Sequence, residues 1–137
     1  MNDAGAVLFL DDDQDLRETV VDLVHEAFHR ECLCLRGYPE LVALGERALR
    51  CAVAILDINL GPGVPSGLDA YDWLQEHGFS GQIVFLTGHA GTHPLVLEAS
   101  RIGNVRVIAK PVSFDLLKAA IEGTEQQADA EVQGLPR

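Results

Sequence analysis

The sequence is short of positive charge and of cysteine, and it has no long apolar run. Ten Lys and Arg stand against 21 Asp and Glu, for a formal net charge of −11. A nucleic-acid surface needs a basic patch to neutralise phosphates, and an anionic membrane surface also attracts basic segments. This charge balance argues against both partners. No apolar run approaches the ~20 residues of a membrane-spanning helix. The start, Met1-Asn2-Asp3-Ala4, lacks the basic region and apolar core of a signal peptide, so a cytoplasmic location is expected. The three cysteines, Cys32, Cys34 and Cys51, are odd in number, which fits reduced thiols. Cys32 and Cys34 would face the same side of a strand, but no second Cys/His pair has a matching spacing. They read as buried structural thiols rather than half of a metal site. His25, His29, His77 and His93 show no metal-ligand or triad spacing. The absence of a Gly-rich Walker-type loop argues against a nucleotide site.

What is present is a regular alternation of apolar runs and amphipathic stretches. Hydrophobic residues make up 47% of the 137 residues, enough for one globular domain with a single core. The chain is organised around Val53-Ala54-Ile55-Leu56-Asp57, an apolar run that ends in one carboxylate. So short a run reads as a strand buried on both faces, the kind found in a parallel sheet. Strands are expected over residues 5–10, 32–36, 52–56, 82–86 and 105–109. Helical spacing places Leu16, Val20, Leu23, Val24, Ala27 and Phe28 on one face of a helix over 13–30. A second helix is expected over 39–49, with Leu41, Leu44 and Ala48 inward, and a third over 68–77, with Leu68, Tyr71 and Leu74 inward. The fourth starts at Thr92 or His93, with Leu95, Ala99 and Ile102 inward. The fifth is capped by Ser113, with Phe114, Leu117 and Ile121 inward. Pro39 and Pro94 fall in first turns, where proline is tolerated. Residues 61–67 are a loop by composition. Five alternating strand–helix units predict an α/β fold with a parallel sheet covered by helices on both sides.

In such a sheet ligands bind at the carboxyl ends of the strands. Alone, Asp57 reads better as a turn or cap residue than as a ligand-binding one. Its company changes that reading. The first strand ends in Asp11-Asp12-Asp13, the fourth in Thr87 and the fifth in Lys110-Pro111. Asp13 and Asp15 suit the positive end of the following helix and are assigned to capping, which leaves Asp11 and Asp12 as ligands. Hard carboxylates without Cys or His suit Mg²⁺. Lys and a hydroxyl suit a phosphoryl group, and Asp is a known nucleophile in phosphoryl transfer.

Taken together, the acidic pair, Asp57, Thr87 and Lys110-Pro111, each at a strand end, resemble the receiver domain of bacterial response regulators in two-component signalling. The resemblance covers roughly residues 5–122. It implies a doubly wound, flavodoxin-like, five-stranded parallel sheet of order 2-1-3-4-5 with five helices. It implies that Asp57 is the phosphoacceptor, taking a phosphoryl group from a sensor histidine kinase or a histidine phosphotransfer protein. Mg²⁺ (or Mn²⁺) would be held by Asp11, Asp12, Asp57 and the backbone carbonyl of Asn59. Thr87 would hydrogen-bond the attached phosphoryl group, and Lys110 would pair first with Asp57 and then with the phosphoryl oxygens. The Lys110–Pro111 peptide is expected to be cis. The family often carries an inward-turning aromatic where Val107 stands. His89 falls, with Asn59, at a position that in the family helps set phosphoryl lifetime. The 61–66 loop is about two residues longer than the family's. Residues 1–122 are expected to form the receiver and 123–137 a polar tail or an extension of the last helix. With no second domain in the sequence, the resemblance implies a stand-alone type that signals through protein contacts. A homodimer through the face of the fourth helix, fifth strand and fifth helix is the expected contact, with phosphoryl relay as the other route. Two other functions remain: a receiver-like binding module without phosphorylation, and an aspartate-nucleophile phosphatase of the haloacid-dehalogenase type. The phosphatase class would need its nucleophile after the first strand and a second Asp two residues on, where this chain has Asn59.

Overall fold

The computed structural model describes residues 5–88, 93–103, 105–111 and 113–122. His89, Thr92 and the 123–137 tail lie outside the described residues. Five parallel strands, β1 (Val7–Leu10), β2 (Cys32–Leu35), β3 (Val53–Asp57), β4 (Gln82–Thr87) and β5 (Arg106–Ala109), form one sheet of order β2-β1-β3-β4-β5. This is the flavodoxin-like order expected above. β1 and β3 are fully buried along their length, because helices cover both faces. Leu8, Leu10, Ala54, Leu56 and Phe85 pack on one side, and Val7, Phe9, Ile55, Val84 and Leu86 on the other. Alternate residues of each strand thus feed two separate half-cores.

Among the described residues there are six helices rather than five: α1 (Gln14–Phe28), α2 (Tyr38–Leu44), α3 (Glu46–Leu49), α4 (Gly67–Glu76), α5 (Pro94–Ser100) and α6 (Phe114–Glu122). The expected second helix is split at Gly45. Its φ of 62° is left-handed, and its N–H closes α2 by donating to the Leu41 carbonyl. Leu41 and Ala48 are nonetheless both buried, so the apolar spacing survived the break. The helices counted fourth and fifth in the sequence are therefore α5 and α6. Asp13 and Ser113 cap as expected, Asp15 lies within the first turn of α1, and His93, one of the two expected starts of the fourth helix, is its cap. Asp13 Oδ1 accepts from the Leu16 N–H at 3.2 Å, Ser113 Oγ from Leu116 at 3.1 Å, and His93 Nδ1 from Leu95 at 3.2 Å.

Four residues assigned to the interior are not buried there. Phe114 is 49% exposed. As the first residue of α6 its Cβ tilts toward the helix N-terminus, off the end of the apolar stripe, while Leu117, Ala120 and Ile121 fill the core. Ala27 is exposed in the last turn of α1, where Phe28 alone keeps contact with the core. Cys32 and Cys34 are only half-buried, because β2 is an edge strand; Cys51 is buried. No helix among the described residues is long and apolar enough to cross a membrane.

Candidate functional site

Register brings the strand ends together. β1 and β3 are neighbours with Leu10 opposite Leu56, so Asp11 and Asp57 end adjacent strands side by side. β4 carries Thr87 opposite Ala109 of β5, which places Lys110 one residue past the same rim. Carboxylate oxygens of Asp11, Asp12 and Asp57 lie within 4.8 Å of one another. Asp11 and Asp57 are buried and Asp12 is exposed. Lys110 Nζ sits 2.8 Å from Asp11 Oδ2 and 3.3 Å from Asp57 Oδ2. The cleft above them has a volume of about 340 Å³ and is lined by Asp12, Asp13, Asp57, Asn59, Gly88 and Lys110, among others.

Electrostatics at this rim are dominated by crowded negative charge. Burial, then the Asp11 carboxylate, pushes the Asp57 carboxyl up to about 7 against the opposing pull of Lys110. Burial works to lower Lys110, but Asp11 and Asp57 outweigh it and hold the ammonium firmly protonated. Asp11 Oδ1 accepts the Asp13 N–H at 2.9 Å. Asp11 Oδ2 is sealed from solvent and, among the described residues, has no aligned hydrogen-bond donor, although the Lys110 ammonium lies 2.8 Å away. A buried carboxylate oxygen without an aligned donor, in a cluster of three carboxylates facing one ammonium, fits a hard dication and its oxygen preference.

Asp11, Asp12, Asp57 and Lys110 are thus brought together as expected, and Asn59 lines the same cleft. Thr87 is buried at the end of β4 and is not among the residues lining the cleft; its carbonyl accepts the Lys110 N–H at 2.7 Å. The Lys110–Pro111 peptide is cis. The extended loop after β3 is tied down locally. Asn59 Oδ1 accepts the Gly61 N–H at 3.0 Å, and Ser66 and Asp69 form a capping box that starts α4. Two contributors escaped the sequence reading. Arg17 reaches from α1 to donate to the Asp11 carbonyl at 2.8 Å. Gly67 lies directly against the Asp57 backbone, where a Cβ would come within 2.3 Å of the Asp57 carbonyl oxygen. Its place at the end of a Gly- and Pro-rich loop was the available signal; the contact itself is long-range.

A family model described as response regulator receiver domain matches residues 7–122. The transcriptional regulatory protein FixJ of Bradyrhizobium diazoefficiens is 30% identical over 129 residues, 94% of this chain and 60% of its own length. The response regulator protein TodT of Pseudomonas putida is 31% identical over 140 residues, 100% of this chain and 59% of its own. The chain therefore spans about 60% of these relatives. A response regulator protein from Burkholderia pseudomallei, solved with a phosphorylated aspartic acid, calcium ion and citrate, superposes with a TM-score of 0.73 at 22% identity, covering 95% of this chain and 75% of that one. The chemotaxis protein CheY4 of Vibrio cholerae gives a TM-score of 0.70 at 23% identity, covering 88% and 98%. At such identities these structures share the fold.

Proposed function

The chain belongs to the response regulator receiver domain family, and we propose that Asp57 is its phosphoacceptor, charged by a sensor histidine kinase or a histidine phosphotransfer protein. The observation that carries this reading is the Lys110 ammonium set between Asp11 Oδ2 and Asp57 Oδ2 at the floor of the acidic cleft. In the proposed reaction an Asp57 carboxylate oxygen attacks the phosphorus of a phosphohistidine. The P–N bond breaks and its electron pair stays on the imidazole, which takes up a proton. The product is an acyl phosphate on Asp57. Lys110 then exchanges its contact with the Asp57 oxygen for the phosphoryl oxygens. The Thr87 hydroxyl donates to another of them, which requires the β4 end to shift toward the cleft. Asp11, Asp12, Asp57 and the Asn59 carbonyl would hold Mg²⁺, which when bound offsets the charge of the entering phosphoryl group. Receivers are in general signalling proteins rather than turnover enzymes, and the phosphoryl group here is a signal. Incubation with acetyl phosphate and Mg²⁺ should add roughly 80 Da, one phosphoryl group, by intact-mass measurement. An unchanged mass, with the protein folded, rejects the proposal.

Metal binding has its own readout. A ligand that binds only the folded chain stabilises it by mass action, on the order of 2–3 kcal/mol at a hundredfold excess over its dissociation constant. Millimolar Mg²⁺ should therefore raise the melting temperature over that in EDTA. Equal melting temperatures would mean that the carboxylate cluster is not a metal site.

The signal is proposed to leave through the face of α5, β5 and α6, as contact with a second copy of this chain. Leu97 on α5 and Phe114 on α6 are large apolar side chains, 42% and 49% exposed, on the helices that follow β4 and β5. Sedimentation with and without beryllofluoride, on the full chain and on a chain ending at Glu122, should show a dimer favoured by the phosphoryl mimic. A monomer under all four conditions removes the dimer and leaves relay to a phosphotransfer protein.

A further inference from the structure

β2 is an edge strand with one hydrogen-bonded neighbour, β1, and it carries Cys32 and Cys34 on the face under α1. Their Sγ atoms lie 3.6 Å apart, and both side chains are half-buried. Cys34 lines an open groove of about 500 Å³ together with Arg17, Glu18 and Val21 of α1, so small solutes reach it. Its thiol also donates to the Arg17 carbonyl at 3.6 Å. Among the described residues no His, Asp or Glu joins the two thiols to make a three-ligand cluster. The pair is therefore arranged for reaction with itself rather than for a metal. We propose that Cys32 and Cys34 form a peroxide-sensitive dithiol that closes reversibly into a disulfide within β2.

The order of the chemistry follows from the surroundings. The hydrogen bond from Cys32 lowers the Cys34 thiol, helped by the positive charge of Arg17 and opposed by burial and by the Asp11 charge. The thiolate forms when Cys34 gives up its bond to the Arg17 carbonyl. The same hydrogen bond, with burial, holds Cys32 as a thiol. Cys34 sulfur attacks one oxygen of hydrogen peroxide, the O–O bond breaks, and hydroxide leaves to become water. Cys34 is then a sulfenic acid. Cys32 sulfur attacks the Cys34 sulfur, the S–O bond breaks, and the departing hydroxide takes the Cys32 proton as a second water. Two thiols are oxidised to one disulfide while one peroxide is reduced to two waters. Residues two apart on a strand have Cα atoms roughly 6.6 Å apart, near the wide end of the ~4.4–6.8 Å range for disulfides. Their parallel Cβ atoms stand about as far apart, beyond the ~3.5–4.5 Å a disulfide spans, so the bridge needs the β2 backbone to leave its ladder with β1 between Cys32 and Cys34. Closure therefore puckers the edge strand, and a bridge held under such strain is readily reduced again.

Cys51 is buried, its thiol donating to the Arg47 carbonyl at 3.5 Å, and serves as an internal control. The full chain, fully reduced, is treated with hydrogen peroxide, then denatured and alkylated. Of the three free thiols only one should remain alkylatable. Trypsin, cutting after Arg30 and Arg36, should release residues 31–36 as one peptide lacking two hydrogens. Dithiothreitol should restore all three thiols, and Cys51→Ser should leave the bridge intact. In Cys32→Ser the bridge should be lost and a sulfenic acid at Cys34 trapped by dimedone. Three alkylatable thiols after peroxide, a bridge to Cys51, bridges only between chains, or direct passage to sulfinic acid would each overturn the proposal.

Discussion

Asp57→Asn is expected to lose all labelling by acetyl phosphate while becoming more stable than the parent in the absence of metal. Both results follow from one buried carboxyl. The amide has no anionic oxygen to attack phosphorus, and among the described residues no other Asp shares both the Lys110 contact and the open side of the cleft. The stability effect comes from linkage. The Asp57 carboxyl lies at about 7 in the folded chain against an ordinary value of 3.8. Between those values the folded chain keeps a proton that the unfolded chain has released. Stability contributed by this group is thus present at low pH, falls as pH rises from about 4 to about 7, and is flat above. The amide removes that slope. In EDTA, the parent should lose on the order of 1–3 kcal/mol relative to Asp57→Asn across this window. Urea titrations of both proteins at several pH values measure it. Parallel stability curves would show that Asp57 is not held protonated by its surroundings, and full labelling of the variant would remove Asp57 as acceptor.

The sheet and the membership of the rim were legible because both rest on short-range pattern. Apolar runs five or six residues long mark doubly buried strands, and each candidate site residue stands at or just past the end of one. Even the caps at Asp13 and Ser113 could be read, since a cap is a local hydrogen bond, and His93 was one of two starts the sequence offered. What could not be read depended on where elements end against one another. The α2–α3 break needed the left-handed φ of Gly45, which apolar spacing does not encode. Phe114 kept the helical period of Leu117 and Ile121, yet it sits at the start of α6, before the helix reaches the core. Arg17 carried no signal in the sequence, because its bond to the Asp11 carbonyl exists only once α1 folds back over β1. Val96, buried in α5, was hidden among equally apolar neighbours, because the chain there reads Leu95-Val96-Leu97; packing buries Val96, keeps Leu95 partly buried against the core as expected, and leaves Leu97 exposed.

Gly67→Ala should be among the most damaging single-methyl changes in the chain. In a helix Ala is ordinarily favoured over Gly, by about 1 kcal/mol, and on that ground alone the substitution would stabilise α4. Space decides the other way. The added Cβ would stand 2.3 Å from the Asp57 carbonyl oxygen, 2.9 Å from its carbon and 3.1 Å from Ile58 Cα. All three are backbone atoms, so no rotamer change relieves the contact. The Gly67 N–H also donates to the Ile58 carbonyl at 2.9 Å, which pins the start of α4 against the end of β3. Ile58 is in turn held by its N–H to the Leu86 carbonyl at 2.9 Å. The clash must push either α4 off the sheet or Asp57 out of line with Lys110. Overpacking of this kind costs roughly 3 kcal/mol, a fall in melting temperature on the order of 10 °C for a domain of this size. Labelling by acetyl phosphate should slow in the fraction that remains folded, because the displaced backbone is that of the acceptor itself. Gly103→Ala is the matched control, since a Cβ there meets nothing within 4 Å. Equal melting temperatures and equal labelling rates for the two variants would show that the closeness of Gly67 to Asp57 does not set the position of the acceptor.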